Sequence, residues 1–301
     1  MADAASNTIS ASALVVSSVK PWLTLFRRAA LFLILASSMT GTNQTANDSE
    51  LAHLQRVVAS SKRVQRILKQ AEAGGRNRIS FAVLHADSTH PFQGYTTPLE
   101  GGDKKGVTVH IVGGLSNQLT ELLIAHELFH IVLKNQGWPS QAHTSLSEQE
   151  LDTTFQGAIT RDTEAALMSC YPDALIDRWM SKRGFAPKLV NRRQYQLTIM
   201  QAKTTERPPP QVFVLWRKNV ALVNYCLSIR ERDFEMKDVF RAFESVDPEM
   251  AHDQSLLEKQ LGTRLECDDV PSCLEATKQL RHASGFEGQI AFLNPRTNKW
   301  E

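Results

Sequence analysis

The pattern of hydrophobic and polar positions predicts a mixed amino-terminal part followed by a mainly helical remainder. Residues 51–73 suit a helix, which Gly74-Gly75 would end. Two apolar runs, 79–85 and 107–112, predict strands with a polar loop between them, and the second run is rich in β-branched residues. Other helical stretches are predicted over 146–182, 212–230, 234–244 and 274–282, and a short closing strand is predicted over 289–293.

One further helix is predicted directly after the second strand. Gly113-Gly114 breaks that strand, and either Ser116 or Asn117 can cap the helix that follows. Gly137-Trp138-Pro139 would close it. Its apolar residues recur at helical spacing, at Leu119, Leu122, Leu123, Phe129 and Leu133.

This helix carries the pattern HExxH, as His126-Glu127-Leu128-Phe129-His130. Residues four apart on a helix project from one face, so the rings of His126 and His130 can share one metal ion. Glu127 lies beside them, where its carboxylate can take the proton of a water held in the open position of the metal. The pattern therefore predicts a site for Zn²⁺ with Glu127 as general base.

With these residues in place, the chain resembles the zincin metallopeptidases. The matching pieces are the strand VTVHIV, the turn GGLSNQ and the helix LTELLIAHELFHIVLK, within a resemblance that covers roughly residues 79 to 182. The resemblance implies an α+β, zincin-like fold, with a small strand-containing amino-terminal lobe, the HExxH helix and a mainly helical carboxy-terminal lobe. It also implies that an edge strand, here 107–112, pairs with extended substrate.

The third metal ligand is the open question. The residues after His130 lack the extension found in metzincins, and this implies a glutamate ligand as in gluzincins. Glu164 is our first choice, because the two alanines that follow it would let its helix approach the HExxH helix closely. Glu150 is the alternative, because it follows His130 by the interval seen in thermolysin-like enzymes. Asp173 is a further candidate, and Tyr171 could donate a hydrogen bond to the oxyanion of the reaction.

The amino terminus has the three parts of an export signal. Arg27-Arg28 precede the apolar run AALFLILA, and Ser37-Ser38 follow it. The run is shorter than the roughly 20 apolar residues that span a bilayer. We expect a signal peptide over 1–38 and a flexible leader over 39–50, with an uncleaved membrane anchor as the alternative. The metal-binding core is assigned to 51–183 and a mainly helical region to 184–301.

Charge and cysteine content narrow the classes of function. The chain has a formal net charge of +2, and the first 38 residues account for all of it, with three basic residues and one acidic residue. Residues 39–301 therefore carry no formal net charge, which argues against a nucleic-acid-binding protein, because such proteins normally carry an excess of basic residues. The four cysteines can form disulfides in an oxidising compartment, and Cys267 with Cys273 is the pair expected from local spacing.

Together these patterns predict an exported zinc-dependent hydrolase, specifically a peptidase that acts on peptide or protein substrates. One alternative is a zincin-like protein that binds metal without peptidase activity. The other is a structural envelope protein in which HExxH occurs by chance. An intact Glu127 favours the enzyme, because a site that only binds metal does not need a general base.

Overall fold

The computed structural model describes residues 44–75, 78–84, 94–98, 106–139, 142–192, 196, 208–230, 249–262, 267–294 and 299–300. The predicted signal peptide over 1–38 and the predicted helix over 234–244 lie outside the described residues. None of the helices in the described ranges combines the length and the apolar character that a bilayer crossing requires.

The fold is α+β: among the described residues there are eight helices with defined bounds, a further helical stretch over 188–192 and two small sheets. The helices are α1 (Gln44–Ser60), α2 (Lys62–Gly75), α3 (Asn117–Asn135), α4 (Glu148–Thr153), α5 (Phe155–Lys182), α6 (Pro210–Arg230), α7 (Met250–Leu261) and α8 (Val270–Ala283). The strands are β1 (Arg78–Leu84), β2 (Gly94–Pro98), β3 (Gly106–Val112), β4 (Ala142–Thr144), β5 (Ile290–Asn294) and β6 (Lys299–Trp300).

The first predicted helix is two helices that meet at Ser61. The hydroxyl of Ser61 accepts a hydrogen bond from the backbone N–H of Val64 at 3.2 Å, so this residue starts α2 in the manner of an N-cap. The helix before it begins at Gln44, seven residues ahead of the predicted start. Part of the predicted flexible leader over 39–50 is therefore helical.

The first sheet has the strand order β1-β3-β2, and this corrects one expectation from the sequence. The run 107–112 forms β3, which is the central strand: it pairs parallel with β1 and antiparallel with β2. Because both of its sides are hydrogen-bonded, β3 cannot add a further strand, and the prediction that it lies at the edge is wrong. Among the described strands of this sheet, β2 lies at the edge beside the HExxH helix. It occupies part of what was predicted to be a polar loop.

The α3 helix lies at the centre of the hydrophobic core, in contact with α1, α2 and α5 and with strands β2 and β3. The core is continuous across the predicted boundary at 183/184, because it includes Leu128 of α3 together with Tyr225 of α6 and Phe292 of β5. Strand β4, before that boundary, pairs with β5, after it. The carboxy-terminal region thus shares the core of the part that precedes this boundary.

Two disulfides connect the four cysteines. Cys267 and Cys273 form the local bridge expected from their spacing. Cys170 and Cys226, which are separated by 56 residues, join α5 to α6. The Cys170–Cys226 bridge is important for the site described below, because both α5 and α6 contribute residues to that site.

Candidate metal centre

The α3 helix presents the two histidines of HExxH on one partly open face. Ser116 caps the helix, since its side chain accepts a hydrogen bond from the backbone N–H of Leu119. Leu128 and Phe129, between the histidines, are fully buried and anchor the helix in the core. The side chains of His126 and His130 are 12% and 23% exposed, so both rings can be reached from the protein surface.

The α5 helix brings a carboxylate to these two rings. Nε2 of His126 lies 3.1 Å from Nε2 of His130. Oδ1 of Asp173 lies 3.4 Å from the first of these nitrogens and 3.1 Å from the second. Among the described residues, this is the single group of three or more potential ligands that converges in this way. Two imidazoles and one carboxylate form a common ligand set for catalytic zinc.

The geometry of the three atoms fits a shared metal ion. Tetrahedral zinc with bonds of about 2.0–2.2 Å places its ligand atoms about 3.3–3.6 Å apart, close to the separations measured here. Oδ1 of Asp173 is also buried and accepts no aligned hydrogen bond, although two ring nitrogens lie beside it. A buried carboxylate oxygen without a donor is costly, and a bound cation would satisfy it.

The other oxygen of Asp173 is held by a cation from α6. Nη1 of Arg230 donates to Oδ2 of Asp173 at 2.8 Å. Burial alone would raise the pKa of Asp173, but the guanidinium and the neighbouring imidazoles outweigh burial and hold that pKa well below its usual range. Asp173 is therefore ionised at neutral pH, as a metal ligand must be.

A second carboxylate, Asp177, lies one helical turn beyond Asp173. Its Oδ1 is 4.0 Å from Nδ1 of His126, the ring nitrogen on the other side from the ligand group. Its Oδ2 accepts hydrogen bonds from Nε of Arg230 at 3.0 Å and from Nδ2 of Asn191 at 2.9 Å. At 4.0 Å the two groups are not hydrogen-bonded. Asp177 nevertheless lies on the side of the ring where carboxylates commonly orient a metal-ligating histidine.

Glu127 is buried between α3 and the edge strand β2. A Cβ added to Gly94 would lie 3.0 Å from Oε1 of Glu127, so the strand backbone packs directly against the carboxyl group. Burial raises the pKa of Glu127 to about 7; the nearby Asp173 carboxylate adds to this, while His130 and Lys134 act against it. A buried carboxyl group with a strongly shifted pKa beside a ligand cluster is typical of functional sites.

The structure places both predicted glutamate ligands away from the two histidines. Glu164 precedes Asp173 by nine residues on α5, so it points from the opposite face about 13.5 Å along the axis. Glu150 is exposed and forms a capping box with Ser147 at the start of α4. The carboxylate beside the histidines is that of Asp173.

Tyr171 also lies apart from the ligand group. It is two residues from Asp173, which turns it by about 200° around the axis of α5. Its side chain is buried, and its hydroxyl oxygen lies 3.2 Å from that of Tyr225 on α6. The structure therefore shows Tyr171 in the interface between α5 and α6.

The sequence indicated Asp173 only as a further candidate ligand, and it did not indicate the other residues of the site, Asp177, Arg230, Asn191 and Gly94. Asp173 and Asp177 are four residues apart in a predicted helix, so their shared face could have been read from the spacing. Arg230 and Asn191 carry no such signal, because they reach the site from other segments of the chain. Gly94 was assigned to a polar loop, where glycine is common.

Comparisons of this chain with protein-family models, with curated proteins and with solved structures give no match.

Proposed function

We propose that the protein is an exported zinc-dependent hydrolase with a zincin-like site, and that its substrates are peptides or proteins. The observation that carries the proposal is the convergence of His126 Nε2, His130 Nε2 and Asp173 Oδ1 to within 3.4 Å of one another, beside a buried glutamate. A chance HExxH on a packed helix does not require a carboxylate oxygen to approach both ring nitrogens, and this oxygen accepts no aligned hydrogen bond.

Each residue of the site has a defined task in this proposal. His126, His130 and Asp173 would hold the ion through one atom each, which leaves a coordination position for water or substrate. A zinc ion bound there supplies Lewis-acid activation of water. Glu127 accepts the proton of the attacking water on its carboxylate and later delivers it to the leaving amine.

The position of β2 supports a peptide as substrate. Among the described strands, β2 lies at the edge of its sheet, and Gly94 and Thr96 face α3. Oγ1 of Thr96 accepts a hydrogen bond from Nζ of Lys134 at 3.4 Å, which ties the strand to the carboxy-terminal part of the HExxH helix. An edge strand can pair with an extended peptide through backbone hydrogen bonds, next to Glu127.

The two disulfides support export, because such bridges persist in oxidising compartments and are rare in the cytosol. The predicted signal peptide over 1–38 would provide the route. Recovery of the mature protein with a start near Met39 would support this part of the proposal, and recovery from the cytoplasm with the signal intact would contradict it.

The central experiment compares wild type with Glu127→Gln. This substitution preserves side-chain size and all three ligands, but the amide cannot take a proton from water. We expect about one zinc per chain in both proteins, and a loss of peptide hydrolysis by at least roughly 100-fold in the variant. Zinc is measured by elemental analysis, and hydrolysis with a mixed peptide library.

Glu150→Gln is the matched control, since it makes the same chemical change at an exposed residue and should leave both readouts unchanged. Equal cleavage by wild type and Glu127→Gln would show that Glu127 is not the base. A wild-type protein that binds zinc but cleaves no peptide in a broad library would support a metal-binding protein without peptidase activity.

A further inference from the structure

Arg230, the last residue of α6, joins three side chains around the metal centre. Its guanidinium donates from Nη1 to Asp173 Oδ2 at 2.8 Å and from Nε to Asp177 Oδ2 at 3.0 Å. The remaining amino group, Nη2, donates to Oδ1 of Asn191 at 2.8 Å. The side chain of Arg230 is only 12% exposed, so these contacts are protected from water.

The first of these contacts determines which oxygen of Asp173 is available. Because the guanidinium occupies Oδ2, the carboxylate is turned so that Oδ1 alone faces His126 and His130. A freely rotating carboxylate would have to be fixed when the metal binds, and fixing it costs conformational entropy. In this protein the hydrogen bond from Arg230 already fixes the carboxylate of Asp173.

The second contact holds another carboxylate near one of the candidate histidine ligands. Asp177 shares the guanidinium with Asp173, and its other oxygen lies 4.0 Å from Nδ1 of His126. Asn191 completes the cluster, since it accepts from Arg230 and donates to Asp177. One planar cation thereby fixes a ligand on α5 and the carboxylate beside a ligand on α3.

The Cys170–Cys226 disulfide keeps the two helices in register for this contact. Cys170 precedes Asp173 by three residues, and Cys226 precedes Arg230 by four, so the bridge lies about one helical turn from the ion pair on both helices. This placement restrains Asp173 and Arg230 from sliding apart along the helix interface.

We propose that Arg230 is a positioning residue that orients Asp173 as a one-oxygen metal ligand and thereby sets the affinity of the centre for zinc. The inference rests on the proposed metal site, and it adds that the carboxy-terminal region builds this site through α6. The forked shape of the guanidinium is essential, since a single ammonium group cannot hold the three partners at their observed positions.

Arg230→Lys tests the proposal most directly, because it keeps the positive charge and removes the planar guanidinium group with its several N–H donors. We expect the Kd for zinc, measured by competition with a chromophoric chelator, to rise roughly 10–100-fold. Cobalt substituted for zinc gives a second readout, because its visible absorption weakens as the coordination number increases. Once Asp173 can offer both oxygens, this absorption should fall in the variant.

Arg217→Lys is the matched control. Arg217 also lies on α6 and also bridges two carboxylates, donating from Nε to Asp253 at 2.7 Å and from Nη1 to Glu249 at 2.5 Å. Both partners lie outside the ligand group, so this variant should keep the wild-type zinc affinity and cobalt spectrum. Circular dichroism of the metal-free proteins verifies that each variant is folded before it is titrated.

The outcomes separate this inference from the proposed function. Wild-type affinity and an unchanged cobalt spectrum in Arg230→Lys would overturn the positioning role while the metal centre stands, and so would equal weakening in Arg217→Lys. If Arg230→Lys does not fold, Asn191→Ala is tested in its place, because it removes one partner of the guanidinium. Weaker zinc binding by this variant supports the proposal, and unchanged binding overturns it. A wild-type protein that binds no zinc refutes both proposals.

Discussion

Replacing Cys170 and Cys226 together by alanine removes the bridge between α5 and α6, and the resulting loss of stability can be worked from the chain it closes. The two residues are separated by 56 positions. In the chain-entropy model, closing a loop of this length removes about 14 cal/mol/K from the unfolded chain, equal to about 4 kcal/mol at 25 °C. We therefore expect the double variant to lose about 4 kcal/mol of unfolding free energy.

The Cys267–Cys273 disulfide provides an internal comparison for the predicted loss of stability. Cys267 and Cys273 are separated by only 6 positions, and the same relation gives about 2 kcal/mol for that bridge. The assay is urea denaturation of wild type and both double variants in metal-free buffer, because bound metal would add its own stabilisation. An equal or larger loss from Cys267→Ala/Cys273→Ala would refute the loop-length reasoning.

Two further predictions test the ligands and the base. Asp173→Asn should remove most of the zinc that survives dialysis, whereas Glu164→Gln should retain it; elemental analysis of both dialysed variants decides, and the reverse pattern would make Glu164 the ligand. Gly94→Ala places a Cβ 3.0 Å from Oε1 of Glu127, so it should lower peptide hydrolysis about 10–100-fold at unchanged zinc content. Steady-state rates alongside zinc analysis test this, and wild-type activity would show that the strand does not position the base.

The parts of the structure that the sequence predicted depend on short-range patterns. The α3 helix, its cap at Ser116 and the shared face of His126 and His130 all follow from spacing within one helix. The local bridge between Cys267 and Cys273 also follows from proximity in the chain. In each case, the interacting residues are fixed relative to one another by a few covalently connected positions.

The parts of the structure that the sequence did not predict depend on how the helices and strands pack against one another. Glu164 and Asp173 both lie on α5, and only the rotation of that helix against α3 determines which acid meets the histidines. Strand β2 is a five-residue run, GYTTP, which begins with glycine and ends with proline, so its composition resembled a loop. Its partner residues in β3 lie 9 to 17 positions away along the chain, from the pair Pro98 and Val107 to the pair Gly94 and Ile111.

The Cys170–Cys226 bridge also determines how the protein responds to a break in its backbone. A single protease cut anywhere between these two cysteines would leave two fragments that remain covalently joined. His126, His130 and Asp173 would lie on the amino-terminal fragment when the cut falls after Asp173, and Arg230 would lie on the other. Such a nicked molecule would migrate as one species on a non-reducing gel and separate only after a thiol is added.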